Sequence, residues 1–221
     1  MKRAILVIPF LFASAAQAVV VSDNSIVGDT VNDFNGLSSG NVAGTISQTG
    51  ATYGEAFAGQ TVSTATFDTL TGTPTAPLTL TSAATTANNI GIYTSGSQTI
   101  YGDVSGQIGE GALSILFSTV TDVFGLEVVG ANSGTFTVAF FDTVGSLLDS
   151  ITQTATNGFF GFRSSSADIA GVSITNNDPA GIAYDNVTFN SNVSSVPLPA
   201  ALPLMVAGLG ALAFARRRAV K

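Results

Sequence analysis

Residues 135–142 read Thr-Phe-Thr-Val-Ala-Phe-Phe-Asp, and this stretch decides the fold class of the chain. Phe136, Val138 and Phe140 alternate with smaller or more polar residues. Successive side chains of a β-strand point to opposite faces, so the alternation predicts a strand with one face on an apolar core and the other in solvent.

Residues 123–128, Val-Phe-Gly-Leu-Glu-Val, show the same pattern, and we expect Phe124, Leu126 and Val128 to point inward. The connecting residues 129–134 contain the glycines Gly130 and Gly134, which favour a turn. We therefore predict that the two strands form a hairpin.

The rest of the central chain also has the composition of strands. It is rich in Thr, Val, Ile, Phe, Ser and Gly, and turn residues interrupt it at short intervals. Further strands are predicted at residues 45–48, 61–67, 78–81, 90–93, 113–117, 147–153, 159–163, 170–175 and 182–189. Many short strands without a helical pattern predict an all-β domain over residues 19–195, an antiparallel, jelly-roll-like β-sandwich.

Residues 1–18 have the three parts of an export signal. Lys2 and Arg3 are basic, residues 4–13 are almost wholly apolar, and Ala16-Gln17-Ala18 has the small-x-small pattern that signal peptidase cleaves. We expect a signal peptide over residues 1–18 and a mature chain that starts at about Val19.

The C-terminus has the pattern of a membrane anchor. Residues 198–215 carry no charged side chain, and a helix of this length approaches the thickness of a hydrocarbon core. The basic residues Arg216, Arg217, Arg218 and Lys221 follow directly. Because basic residues favour the cytoplasmic side, we expect a transmembrane helix with the tail inside and the body of the protein outside.

The sequence Val196-Pro197-Leu198-Pro199-Ala200, then the apolar segment, then Arg216-Arg217-Arg218 at the end of the chain, resembles the VPLPA branch of the PEP-CTERM sorting signals of Gram-negative bacteria. The resemblance covers residues 196–221 and implies that an exosortase-type enzyme removes the tail. It also implies release to the cell surface or extracellular matrix, together with exopolysaccharide. The alternative is an ordinary anchor that is never cleaved.

Six of the seven basic residues lie in these two terminal segments. Residues 19–195 therefore hold one basic residue, Arg163, against all fourteen acidic residues, a formal charge of −13. Such a body cannot neutralise phosphates, so nucleic acids and anionic lipid surfaces are excluded as its partners.

The chain contains no cysteine and no histidine. Thiol nucleophiles, zinc sites built on cysteine, and the commonest general base are therefore excluded, and we expect a protein that is not an enzyme. Hydrolysis of glycosidic bonds needs only two carboxylates, so a carboxylate-only glycosidase remains as the enzymatic alternative.

Residues 109–189 resemble, more loosely, the galactose-binding-like jelly rolls of secreted bacterial proteins, on the strands 126–129, 136–142 and 182–189 and the turn 144–146. The resemblance implies a fold that binds sugar in some members and a structural calcium in others. The tyrosines that could serve as a sugar platform are Tyr53, Tyr93, Tyr101 and Tyr184. For each of them, packing in the core is the competing interpretation.

Strict alternation over residues 182–189 places Asp185 on the same face as Val187 and Phe189, which should be the core face. A buried carboxylate needs hydrogen bonds or a metal ion, so we predict one structural calcium bound by Asp185. Asp29 and Asp33 are the candidate partners if the first and last strands pair. The alternative is a bulge that turns Asp185 outward, or backbone N–H groups that satisfy it.

These observations favour a secreted or surface-displayed protein of the extracellular polysaccharide matrix. Its expected partners are signal peptidase, the sorting enzyme, the membrane before processing, and exopolysaccharide. A carbohydrate-binding module for the cell's own exopolysaccharide is the alternative function.

Overall fold

A computed structural model describes residues 19–81 and 85–191. Seventeen strands are described, in chain order β1 Val20–Ser22, β2 Thr30–Asn32, β3 Gly40–Val42, β4 Ile46–Gln48, β5 Ala51–Gly54, β6 Thr61–Thr64, β7 Asp68–Thr71, β8 Ile90–Ser95, β9 Ser97–Val104, β10 Gln107–Gly111, β11 Leu113–Thr121, β12 Val123–Val129, β13 Thr135–Phe141, β14 Leu147–Thr154, β15 Gly158–Ser164, β16 Ile169–Asn176 and β17 Ala183–Phe189. No helix occurs in this part of the chain, and therefore none there is long and apolar enough to cross a membrane.

Two large antiparallel sheets form the fold. The nine-stranded sheet has the order β1-β15-β12-β17-β9-β8-β3, with β10 paired to β9 and β2 paired to β17. The six-stranded sheet has the order β14-β13-β16-β11-β5-β4, and β6 and β7 form a separate hairpin. The predicted all-β antiparallel class is confirmed.

The two sheets bury their apolar faces against each other. Phe124 of the nine-stranded sheet packs edge-on against Phe140 of the six-stranded sheet, with ring centroids 6.3 Å apart. Phe136 packs against Phe160 across the same interface at 4.9 Å. The predicted inward residues of β12 and β13 are all buried in this core, so the architecture is that of a sandwich whose strands alternate as residues 135–142 predicted.

The predicted hairpin between β12 and β13 is wrong, because these strands lie in different sheets. The chain leaves β12, crosses from one layer to the other, and enters β13. The carboxylate of Asp178 fixes this crossing by accepting the N–H groups of Asn132 at 2.7 Å and Ser133 at 3.0 Å. The connection is thus held by a residue far away in sequence and not by a local turn.

One predicted strand is absent, and several strands of the structure, β9 and β10 among them, were not predicted. Residues 78–81 were expected to form a strand, but Leu80 makes only a single bridge to Phe57. The eight-residue strand β9 was not predicted at all, although it pairs with β8, β10 and β17.

The start of β1 and the end of β17 lie at the same end of the strands of the nine-stranded sheet. Ser22 of β1 pairs with Phe162, Phe162 pairs with Phe124, and Phe124 pairs with Phe189 of β17. The chain enters β1 at the same end of the strands at which it leaves β17 after Phe189. Three strand spacings separate the two ends, a distance of about 14 Å.

Candidate functional site

The outer face of the nine-stranded sheet carries a transverse row of polar and aromatic side chains. Glu127 of β12 is in register with Asp185 of β17, and Tyr93 of β8 is in register with Thr99 of β9. The pairing of Tyr184 with Ile100 places Asp185 beside Thr99. Side chains in register on adjacent strands share a face, so the row runs Glu127, Asp185, Thr99, Tyr93.

Asp185 lies in this outer row because β17 contains a bulge. Pairing with β12 shifts between Gly125 and Glu127, and Asn186 takes a positive φ of 48°. The extra residue lets Tyr184 and Val187 both point into the core, and it turns Asp185 to the opposite face. The expectation that Asp185 lies on the core face is therefore wrong, and the bulge named as its alternative is present.

Both carboxylate oxygens of Asp185 accept hydrogen bonds. Its carboxylate accepts the Ser97 hydroxyl at 2.8 Å and the backbone N–H of Asn186 at 2.8 Å. The side-chain amide of Asn186 then donates to Glu127 at 2.8 Å. The two carboxylates of the row are thus linked by one asparagine.

The three aspartates proposed as calcium ligands do not come together. The first strand, β1, pairs with β15 and not with the last strand, whereas β2, which lies between Asp29 and Asp33, pairs with β17. Asp29, however, binds the backbone N–H of Ser191 at 2.7 Å, beyond the end of β17, whereas Asp33 follows β2 and accepts the N–H of Asn35 at 3.1 Å. Within residues 19–81 and 85–191, no three acidic side chains are grouped so that they could hold a metal ion.

Tyr93 is the tyrosine that remains accessible. Tyr53 and Tyr184 are buried in the core between the sheets, which confirms core packing for those two; Tyr101 is buried outside that core, and Tyr93 is 43 % exposed. Its ring borders a cleft of about 220 Å³ formed with residues of β9, β10, β12 and the segment before β17, namely Thr99, Ile108, Val129, Gly130 and 180–183. An exposed ring beside a mixed apolar and polar cleft can stack on the apolar face of a ligand while polar groups bind its hydroxyls.

One wall of the cleft depends on two glycines. Gly181 has a φ of 73° and Gly109 a φ of 83°, and their backbones touch. The N–H of Ile182 donates to the carbonyl of Gly109 at 2.9 Å. Side chains at these positions would overlap backbone atoms, so glycine is required for the close approach.

Two further carboxylates are perturbed, on the side of the molecule that holds the β6–β7 hairpin. Burial, together with the charge of Asp68, raises the pKa of Glu55 to about 7. Burial also raises the pKa of Asp68, whose two oxygens accept the Thr64 hydroxyl at 2.8 Å and the Ala112 N–H at 3.1 Å. Asp68 is buried and fully engaged, so this pair anchors a hairpin and does not present two carboxylates to a sugar as a glycosidase would.

The remaining predicted residues lie outside the described part of the chain. These are the cleavage residues Ala16 and Ala18, the sorting motif Val196, Pro197, Leu198, Pro199 and Ala200, and the basic cluster Arg216, Arg217 and Arg218. Comparisons of the chain with protein-family models, with curated proteins and with solved structures found no match.

Proposed function

We propose that the chain is a non-enzymatic protein that is exported, sorted by an exosortase-type enzyme, and displayed or released as a component of the extracellular polysaccharide matrix. The observation that carries the proposal is the three-part C-terminal segment, with Val196–Ala200 before an uncharged run and Arg216–Arg218 after it. A signal peptide over residues 1–18 supplies the export step.

The geometry of the sandwich is compatible with this route. A signal peptide before Val20 and a tail helix after Ser191 would both meet the domain at the same end of the strands, because β1 begins and β17 ends there. The Tyr93 cleft includes Gly130, which follows β12, and Gly181, which precedes β17. Both glycines, and therefore the cleft, lie at the other end of the strands, away from Val20 and Ser191.

The side-chain chemistry of the body supports a role other than catalysis. Histidine and cysteine are absent from the chain, and the basic residue Arg163 pairs with Asp23 at 2.9 Å. A formal charge of −13 over residues 19–195 favours solubility in the salt-rich space outside a cell.

The proposal is tested by following the two ends of the chain in a host that has the cognate exosortase. Mass spectrometry of the surface or medium fraction should find a chain that begins near Val19 and lacks residues 216–221. Replacing Pro197 and Pro199 by alanine should leave the precursor in the inner membrane, because the recognition element is lost while the apolar segment remains. Pro179→Ala, at an exposed proline of the body, is the matched control and should be processed normally.

Recovery of the wild-type protein only as an uncleaved chain in the inner membrane would overturn the sorting proposal. Normal processing of the double proline variant would overturn the role assigned to Val196–Ala200.

Carbohydrate binding is the second candidate function, and the row that ends at Tyr93 favours it. An exposed aromatic ring lies in register with a line of groups that ends at the partly exposed carboxylate of Glu127, while Asp185 and Thr99 between them are buried. Sugars present apolar C–H faces to rings and hydroxyl groups to carboxylates, so this arrangement has the chemistry of a sugar platform. The loose resemblance to galactose-binding-like jelly rolls agrees with this candidate.

A further inference from the structure

Two buried oxygen atoms at the edge of the β8–β9 hairpin lack hydrogen-bond donors. They are Oδ1 of Asn89, which is 1 % exposed, and Oδ1 of Asp103, which is 0 % exposed. Neither atom has a hydrogen-bond partner among the residues that the structure describes. A buried acceptor without a donor costs about 1–3 kcal/mol, and more when it is charged, so each of these atoms requires an explanation.

The two side chains are neighbours on one face of the sheet. Ile90 pairs with Gly102, so Asn89 stands opposite Asp103 in the same register. The N–H of Asp103 donates to the carbonyl of Asn89 at 2.7 Å, which extends the ladder to this pair. Cross-strand neighbours have Cβ atoms about 5 Å apart, so the two side chains that carry the unsatisfied oxygens start from adjacent points of the sheet.

Contacts hold both groups in fixed orientations. The amide nitrogen of Asn89 donates to the carbonyls of Val42 at 2.5 Å and Gly44 at 3.0 Å. Both of its protons are used, so the amide cannot be reversed to place a donor toward Asp103. The second carboxylate oxygen of Asp103, Oδ2, accepts the N–H groups of Asn88 at 3.3 Å and Gly106 at 3.1 Å.

The surroundings are negative. The charge of Asp103 contributes to the raised pKa of Asp68, although burial is the larger cause. No basic side chain balances this charge, since the basic residue between positions 4 and 215 is Arg163, which pairs with Asp23.

We propose that Asn89 and Asp103 bind a calcium ion through their Oδ1 atoms. Two adjacent acceptors cannot satisfy each other, whereas a hard cation binds carboxylate and amide oxygens together. The hydrogen bonds to the other atoms of both side chains act as the outer support that orients the ligands. This inference does not depend on how the chain is sorted.

The small number of side-chain ligands sets the expected affinity. Calcium takes six to eight oxygens, so backbone carbonyls and water must supply the remainder. One carboxylate and one amide place the site in the weak class of extracellular modules, with a dissociation constant of about 0.1–1 mM. Such a site is filled at the millimolar calcium concentrations found outside cells.

The first experiment uses the full-length wild-type chain in detergent. Equilibrium dialysis against calcium with elemental analysis should give one ion per chain. Moving from EDTA to 5 mM calcium should raise the melting temperature by about 3 °C, the shift that a submillimolar site produces in a domain of this size. Absence of bound calcium together with an unchanged melting temperature would overturn the proposal, because a buried water then satisfies the two oxygens.

The second experiment compares three variants. Asp103→Asn should lose calcium binding and the calcium-dependent shift, yet melt no lower than wild type in EDTA, since its new amide can donate to Asn89. Asp149→Asn, on β14 of the six-stranded sheet, is the matched control and should keep the full shift. A calcium-dependent rise in melting temperature that survives in Asp103→Asn and disappears in Asp185→Asn would overturn the site at Asn89 and Asp103 and would place the calcium at Asp185.

Discussion

Arg163 donates its Nε–H to Oδ2 of Asp23 at 2.9 Å, which ties the residue after β1 to the strand β15 beside it. The Ser25 hydroxyl binds the other oxygen of Asp23, and these two contacts, the serine first, lower the pKa of Asp23 to about 2. A carboxyl group whose pKa is lowered on folding stabilises the folded state above its ordinary pKa. That contribution is lost as the pH falls from about 4 toward 2.

Replacing Arg163 by glutamine should therefore lower the melting temperature slightly at pH 7 in low salt. The pair is partly exposed, so the difference should shrink in 1 M salt and vanish near pH 2. Thermal melts of wild type and variant across pH 2–7 measure it. Arg163→Lys retains the charge and should fall between the two proteins; a difference that is independent of both salt and pH would contradict an ionic role.

Glu55 should produce the opposite pH dependence. Its pKa is raised from 4.5 to about 7 by burial and by the charge of Asp68, so folding favours the protonated group. The contribution of Glu55 to the free energy of unfolding therefore falls as the pH rises from about 4.5 to about 7. Glu55→Gln should stabilise the protein at pH 8 by about 1 kcal/mol, a value reduced for partial solvent exposure, and should have no effect at pH 4.5.

Urea denaturation at the two pH values measures this effect. Glu110→Gln on β10 is the control for loss of a glutamate charge and should not show the same pH-dependent gain. Equal stabilisation by Glu55→Gln at pH 4.5 and pH 8 would show that packing, and not ionisation, is responsible.

The glycine contact below the Tyr93 cleft predicts a large and position-specific loss. A Cβ at Gly181 would overlap the carbonyl oxygen of Ile108, and φ there is 73°. Gly181→Ala should cost at least about 3 kcal/mol, because neither a backbone overlap nor the left-handed conformation is tolerated by alanine. Gly106→Ala, with a φ of 87° but open space around it, should cost only about 1–2 kcal/mol. Similar losses at both positions in urea denaturation would contradict the proposed contact.

Alternation along residues 135–142 and 123–128 was sufficient to predict two central strands, because side-chain period and burial are local properties. It was not sufficient to predict which strands pair. The crossing between β12 and β13 is fixed by Asp178, which lies 46 positions from Asn132 and 45 from Ser133. A hairpin and a crossing have the same local pattern, so contacts with residues distant in sequence, such as this one, are needed to separate them.

The candidate site, too, could be predicted only in part from the sequence. Tyr93 was among the platforms considered from sequence, but its exposure depends on the placement of β9, β10 and β12 around it. Asp185 was assigned to the wrong face because a single left-handed residue, Asn186, reverses the alternation. The oxygens of Asn89 and Asp103 carried no sequence signal, since their proximity follows from the register of a hairpin whose second strand was not predicted.

The sugar-binding candidate makes a prediction that separates it from display alone. Tyr93→Ala should weaken retention of the protein in gels that contain the host's own matrix polysaccharide by about twofold to tenfold, because stacking on an aromatic ring contributes about 0.5–1.5 kcal/mol. The ring is 43 % exposed, so the melting temperature should change little. Tyr93→Trp should retain binding, and Val144→Ala, at an exposed apolar residue of the β13–β14 connection, should bind as wild type does. If wild-type protein is not retained at all, the cleft is not a site for this polysaccharide, while the sorting experiment on Pro197 and Pro199 remains an independent test of display.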